Sequence, residues 1–337
     1  MQQNIMKNKK VWIDVLRAIA CVSVVLIHII SGYIEQGVVE KNSIIYIIDN
    51  IILQPLIRFA VIIFIMISGM LLLDNSKNVT MDKIFRKMYR MIIVLLTFGY
   101  FYCLLESVFN NRGQNFIFLI KESFYNLISG NCWVHMWYVY MLIGIYFITP
   151  MIRVFINNAS EKEIKFTMLG LFIFSICIPT INKNFNLNIQ TFYLKSFSYV
   201  FIFMLGHILY NKKYLSNKII NFLGILGFTI YLIEGFFEKQ IQTDMFMLFE
   251  ATMIFNYFVR KKDNIKSNKV IDSISNNSFA IYLIHPFWIN LIYKFFKVTP
   301  NCFCYPIGEI LLFIIVFLLS YISSVILHKI PYIKKLI

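Results

Sequence analysis

The sequence predicts an all-α, polytopic membrane protein of about ten transmembrane helices with both termini cytoplasmic, and three observations lead there. Hydrophobic residues make up 59% of the 337-residue chain and charged residues only 15%, with a mean hydropathy of +0.69. A soluble chain carries about 25% charged residues, and so much apolar surface cannot be hidden in one aqueous core. The apolar residues also fall in runs of membrane-spanning length, and most Lys and Arg fall in short clusters between them. The net charge of +15 is therefore a topology signal rather than a nucleic-acid-binding face.

Crossing roughly 30 Å of hydrocarbon takes about 20 residues. Spans are expected at 11–34, 55–73, 91–109, 136–156, 165–182, 196–211, 217–235, 242–260, 277–296 and 303–328. The interrupted apolar segments 43–54 (SIIYIIDNIILQ) and 115–128 (NFIFLIKESFYNLI) read as interfacial or re-entrant helices. Lys7, Lys9 and Lys10 ahead of the first run mimic a signal peptide, but the run is too long for one and no small-residue cleavage motif follows. It reads as a retained first span.

With a cytoplasmic N-terminus, the inside segments hold Lys7, Lys9, Lys10, Lys77, Lys83, Arg86, Lys87, Arg90, Arg153, Lys162, Lys165, Lys212, Lys213 and Lys218. They continue with Arg260, Lys261, Lys262, Lys266, Lys269, Lys329, Lys334 and Lys335. The outside segments hold only Lys41, Arg112, Lys121, Lys183, Lys195, Lys239, Lys294 and Lys297, while Arg17 and Arg58 lie within spans. That bias orients the chain. No internal repeat or linker interrupts it, and residues 1–337 read as one membrane domain in the plasma membrane. The six Cys form no CxxC pair and read mainly as small buried hydrophobes; a disulfide between Cys302 and Cys304 is left open.

The first span, IDVLRAIACVSVVLIHIISGY, carries Asp14, Arg17 and His28. Each ionisable group at mid-membrane costs about 2.5–3.5 kcal/mol on insertion scales unless it finds partners or water. Asp14, Arg17, Cys21 and His28 follow i, i+3, i+7 and i+14, which is one stripe of a helix. That stripe must face protein or a water-filled cavity. Arg17 falls in the cytoplasmic half and His28 near the outer end. A plainer reading has Arg17 snorkelling beside Asp14 and His28 at the outer interface.

RAIACVSVVLIH (17–28), an Arg followed by ten residues and then His, and FIMISGMLLL (64–73), with its Ser-Gly pair, resemble the first- and second-span signatures of the acyltransferase-3 family of integral membrane acyltransferases. RKMYR (86–90) sits at the family's RxxR-type basic motif, although Lys87 stands where the first Arg belongs unless Arg86 plays that part. HMWYVYMLIGIYFITP (135–150) and SFAIYLIHP (278–286) resemble two later signatures. Five matches in order cover almost the whole chain.

The resemblance implies transfer of an acyl group, commonly acetyl, from cytoplasmic acyl-CoA to a hydroxyl on an extracytoplasmic or cell-surface glycan. Such chemistry needs a general base, and His28 is the candidate. Arg17 and Glu106 complete the expected catalytic set, with Glu106 or Glu309 as a carboxylate that could orient His28. Arg86, Lys87 and Arg90 are expected to hold the phosphates of acyl-CoA, though they also fit plain positive-inside charge. Asp14, Ser68, His135, Trp137, Tyr138 and His285 are expected to line the substrate path. Trp137 and Tyr138 equally suit an interfacial aromatic belt, and His285 a helix–helix hydrogen bond. Glu250, near mid-span, is expected to face the interior.

No HExxH occurs and the His residues lie on different spans, so no metal is expected. GxSxG is absent too. The rival reading is a transporter or exporter of a polysaccharide or small polar solute along the same stripe. A sensor or scaffold without chemistry is a third. Acyl-CoA enters as donor substrate rather than a resident cofactor.

Overall fold

A computed structural model of the chain describes residues 11–35, 43–74, 79–185, 187–191, 194, 196–211, 215–236 and 244–337. Lys7, Lys9, Lys10, Lys41, Lys77, Lys195, Lys212, Lys213 and Lys239, counted above for topology, lie outside them. The regular elements among the described residues are all helices, without a strand among them.

The helices are α1 (Val11–Glu35), α2 (Ile44–Leu72), α3 (Met81–Asn110), α4 (Phe116–Ser129), α5 (Trp137–Asn158) and α6 (Glu161–Phe185). They continue with α7 (Phe197–Asn211), α8 (Asn217–Phe236), α9 (Asp244–Arg260), α10 (Lys269–Asn290) and α11 (Ile307–Leu327). Among the described residues six helical stretches are long and apolar enough to cross a membrane: Val11–Gly32, α2, α3, Val134–Asn158, α6 and α11. Local signals set the ends. Asn115 caps α4, its side chain accepting from the Phe118 N–H at 2.8 Å, and Gly130 closes it at φ +75°. Ser160 and Glu163 form a capping box at the start of α6.

The expectation of an interfacial or re-entrant helix at 43–54, apart from the second span, is corrected. That segment is the first half of α2, continuous with the second span. A π-helical stretch at Ile47–Leu53 carries the chain up to Pro55, whose missing N–H would otherwise interrupt an α-ladder. The polar residues that seemed to break the run, Asp49 and Gln54, are buried against protein. The third span likewise begins ten residues earlier than its apolar stretch, because the basic amphipathic turns from Met81 onward are continuous with it. Segment 115–128 is a helix of its own, α4, too short to cross.

The chain packs as two compact units. One comprises residues 1–74 and 160–326, the other 75–159 and 327–337.

In the first unit α1 and α10 lie side by side and run the same way. Asp14 meets Ser275, Cys21 meets Ser278, His28 meets His285 and the carbonyl of Ile29 meets Tyr293, numbers rising together. Around this seam Val25, Ile29, Ile30, Ile281 and Ile289 form a buried cluster with Leu312 and Val316 of α11. α10 is tied to α11 by Trp288 Nε1 donating to Ser323 Oγ (3.1 Å) and Ser324 Oγ donating to Asn277 Oδ1 (2.9 Å). α2 crosses α7 at backbone distance. A Cβ on Gly69 would stand 1.7 Å from the Phe203 carbonyl oxygen, and one on Gly206 would stand 2.1 Å from that of Met66. Small residues permit that approach.

The second unit holds α3, α4, α5 and the C-terminal segment. Arg90 Nε of α3 donates to the carbonyl of Leu336 at 2.8 Å.

Candidate functional site

The stripe on α1 is met by a stripe on α10. Asp14, Cys21 and His28 are seven residues apart, the spacing that keeps one side of a helix against a parallel neighbour. On α10, Ser275, Ser278 and His285 answer them. Ser275 Oγ donates to Asp14 Oδ1 at 2.9 Å, and the Cys21 thiol donates to the Ser278 carbonyl at 3.8 Å. At the far end the His28 and His285 rings lie with centroids 5.0 Å apart, tilted by 48°. Arg17 is half-buried on the same helix.

His285 is fully buried, and its Nδ1 lies 3.1 Å from the carbonyl oxygen of Ile281, one turn back. A carbonyl only accepts, so in the neutral ring Nδ1 carries the proton and Nε2 presents a lone pair. The neighbouring Tyr282 ring is 6.1 Å away. Pro286 follows, and its own carbonyl accepts from Asn290 Nδ2 at 2.9 Å.

α2 supplies the third side. Arg58 is close enough to act electrostatically on His28. Its Nε donates to Gln54 Oε1 at 2.6 Å, and Gln54 Nε2 donates to Ser31 Oγ at 3.2 Å. Gln54 thus uses both ends of its amide, one to hold the guanidinium and one to grip α1 a turn beyond His28. Ser68, expected to line the path, spends its hydroxyl on the Phe64 carbonyl at 2.9 Å. Its neighbour Gly69 makes the close crossing with α7.

A carboxyl pair lies in the same unit. Asp49 of α2 is hydrogen-bonded to Glu309 of α11 and accepts from the Tyr305 hydroxyl at 3.2 Å. Two carboxyl groups can share a hydrogen bond only by sharing a proton. Glu309, expected as a possible orienter of His28, is engaged with Asp49.

The other expected residues sit in the second unit. His135 is buried edge-on against Tyr102, centroids 5.2 Å apart, and Tyr102 stacks on Trp133 at 4.4 Å. Trp133 Nε1 donates to Glu106 Oε2 at 2.9 Å, while Glu106 Oε1 accepts from Asn110 Nδ2 at 3.2 Å. Glu106 therefore anchors an aromatic cluster that includes His135. Tyr138 is buried and Trp137 is 40% exposed. Arg86 and Lys87 are exposed on the first turns of α3, with Arg90 half-buried one turn on.

Arg58, Gln54, Ser31, Asp49 and Trp133 were given no role from sequence. The available signal was the Gln54/Arg58 spacing of four within an apolar run, and the Trp two residues before His135. Among the described residues no group of three or more His, Cys, Asp or Glu is arranged to hold a metal ion.

Comparison with known proteins accords with these motifs. The acyltransferase domain model of the acyltransferase-3 family matches residues 10–329. The chain is similar to the Bacillus subtilis (strain 168) protein named "Putative membrane-bound acyltransferase YfiQ", at 23% identity over 343 residues, covering 95% of this chain and 92% of that one. No solved structure matches it. The chain belongs to the acyltransferase-3 family.

Proposed function

We propose that this protein is a plasma-membrane O-acyltransferase that moves an acyl group, acetyl in the first instance, from cytoplasmic acyl-CoA to a hydroxyl of an extracytoplasmic or cell-surface glycan. The observation that carries the reading is the pair of imidazoles, His28 and His285, with Arg58, bonded to Gln54, close enough to act electrostatically on His28. An apolar bundle keeps such groups together only at a cost that function must repay. His28 is the general base. It takes the proton of the acceptor hydroxyl as that oxygen bonds to the thioester carbonyl carbon. The C–S bond then breaks, and the departing CoA thiolate takes the proton from His28. Arg58 supplies positive charge where negative charge builds on the carbonyl oxygen. Arg86, Lys87 and Arg90 bind the phosphates of the donor, and Arg17 lies between donor and acceptor ends of the stripe.

Ten spans with both termini inside fit the packing. The parallel α1 and α10 must cross in the same direction, as the first and ninth spans would. Trp12, at the start of α1, stacks on Tyr210 and packs edge-on against Phe255, near the ends of α7 and α9. Lys262 lies over the Tyr210 ring at 5.5 Å. The end of α9 gathered there carries Arg260, Lys261 and Lys262, which supports a cytoplasmic location for these helix ends.

The test is transfer in proteoliposomes given labelled acetyl-CoA inside and cell-surface glycan outside. Wild-type protein passes label to the glycan. His28→Ala lowers the rate by about 100-fold or more at equal insertion, the usual contribution of a general base. Undiminished transfer by that variant overturns the assignment, and solute movement without consumption of acetyl-CoA makes the protein a transporter.

A further inference from the structure

Away from the histidine pair, the first unit contains a cavity of about 310 Å³ between α6, α7, α8 and α9. Its floor is buried and apolar: Phe201, Leu205 and Ile208 of α7, with Leu248 of α9. Its rim includes Leu169 and Leu215, which are 57% and 46% exposed. Thr252 also borders it, but its hydroxyl donates to the Leu248 carbonyl at 2.7 Å and asks nothing of a ligand. The one charged residue at the cavity is Lys165.

We propose that this cavity is a binding site for one acyl chain of an anionic phospholipid, with Lys165 taking the phosphate. Three observations converge. The wall offers no buried polar group to a polar solute, so the occupant's inserted part is hydrocarbon. The volume sits at the lower end of the ligand-pocket range of about 300–1,000 Å³. At 1.5 Å per residue, the lining positions on all four helices fall within about 18 Å of the basic helix ends, close to the depth of one leaflet. A tail entering there has its headgroup at the level of Lys165 and Lys218. Lys165 is paired with Glu161 at 2.5 Å, but both side chains are more than half exposed, and a solvated i, i+4 pair yields readily to a phosphate. The proposed membrane orientation serves only to name the leaflet as the inner one.

The experiment reconstitutes the full chain in phosphatidylcholine vesicles doped with phosphatidylglycerol carrying a photoreactive group in one tail. Crosslinked peptides are then mapped by mass spectrometry. Crosslinks are expected to concentrate on peptides containing Phe201–Ile208 and Leu248–Thr252. The anionic probe should label them about fivefold more than a phosphatidylcholine probe with the same tail, as one interfacial lysine predicts. Lys165→Gln should erase that preference without moving the crosslinks. Leu169→Trp, at the exposed rim where nothing must repack, should lower labelling of the floor. Even labelling of all exposed helix faces, or equal labelling by the two headgroups, overturns the proposal. So does labelling of these peptides by a photoreactive palmitoyl-CoA with none by the phosphatidylglycerol probe, which would give the cavity to an acyl donor. His28→Ala should keep the labelling pattern, so failure of the acyl-transfer reading and failure of the lipid site are read separately.

Discussion

His285 stands 5.0 Å from His28, ring centroid to ring centroid, on a helix that runs parallel to its own. Because Nδ1 of His285 is directed at the Ile281 carbonyl, its Nε2 is the nitrogen left to accept a proton or hydrogen bond. A role for His285 beyond helix packing can be tested by choosing what the replacement retains.

His285→Asn keeps an N–H that can reach the Ile281 carbonyl but removes the second ring nitrogen; His285→Ala removes both. If His285 works through Nε2, both variants should lose about 10- to 100-fold in acyl transfer, within the range of acid–base contributions. If it only ties the helix to itself, Asn should restore most of the activity that Ala loses. The two are compared by initial rates at matched amounts of inserted protein.

Gln54 is the hinge of the Arg58 arrangement, bonded on one side to Ser31 and on the other to the guanidinium. Gln54→Leu keeps the volume but leaves Arg58 and Ser31 without that partner. Transfer should fall about tenfold, mainly in kcat, since a loosened charge stabilises the transition state less. Gln54→Glu, which still accepts from Arg58, should recover part of the loss. A Gln54→Leu protein with unchanged kcat would remove Arg58 positioning from the mechanism.

Much of this was legible in the chain. Asp14, Cys21 and His28 repeat every seven residues in a span that cannot tolerate them facing lipid, so the stripe and its need for a polar partner follow from spacing alone. What spacing could not show was which helix answers it. Ser275, Ser278 and His285 lie more than 240 residues away, and only the fold brings them alongside. The Gln54–Arg58 pair was missed for a different reason. Asp49 and Gln54 interrupt the apolar run 43–54, which reads as an interfacial or re-entrant helix, whereas π-helical geometry and the contacts of Asp49 with Glu309 and Tyr305 let it run into the second span. The close crossing at Gly69 was hidden as well, since only the fold brings the Phe203 backbone against it.

That contact sets a stability prediction. Gly69→Ala and Gly206→Ala each put a methyl into the backbone of the facing helix, at 1.7 and 2.1 Å from a carbonyl oxygen. Neither neighbour can yield by a side-chain rotation, so α2 and α7 must separate. The cost should be at or above the roughly 1–3 kcal/mol of an overpacked core. Thermal unfolding in detergent, followed by loss of the monodisperse peak, should shift down by several degrees. Gly144→Ala, with open space around it, should leave that midpoint unchanged.

The last prediction concerns Cys132, in the loop before Trp133. Its thiol is brought down to about 7, first of all by a hydrogen bond from Cys103. The Tyr140 hydroxyl, 3.6 Å away, acts in the same direction but by less than Cys103. A lowered pKa means that the thiolate, the reactive form, is populated above pH 7 and lost below it. In a Cys302→Ser/Cys304→Ser background, which removes the two exposed thiols, alkylation of Cys132 should rise with pH around a midpoint of about 7. Cys103→Ala should move that midpoint up toward the ordinary thiol value of about 8.5. A midpoint already near 8.5 with Cys103 in place would show that the two sulfurs do not interact.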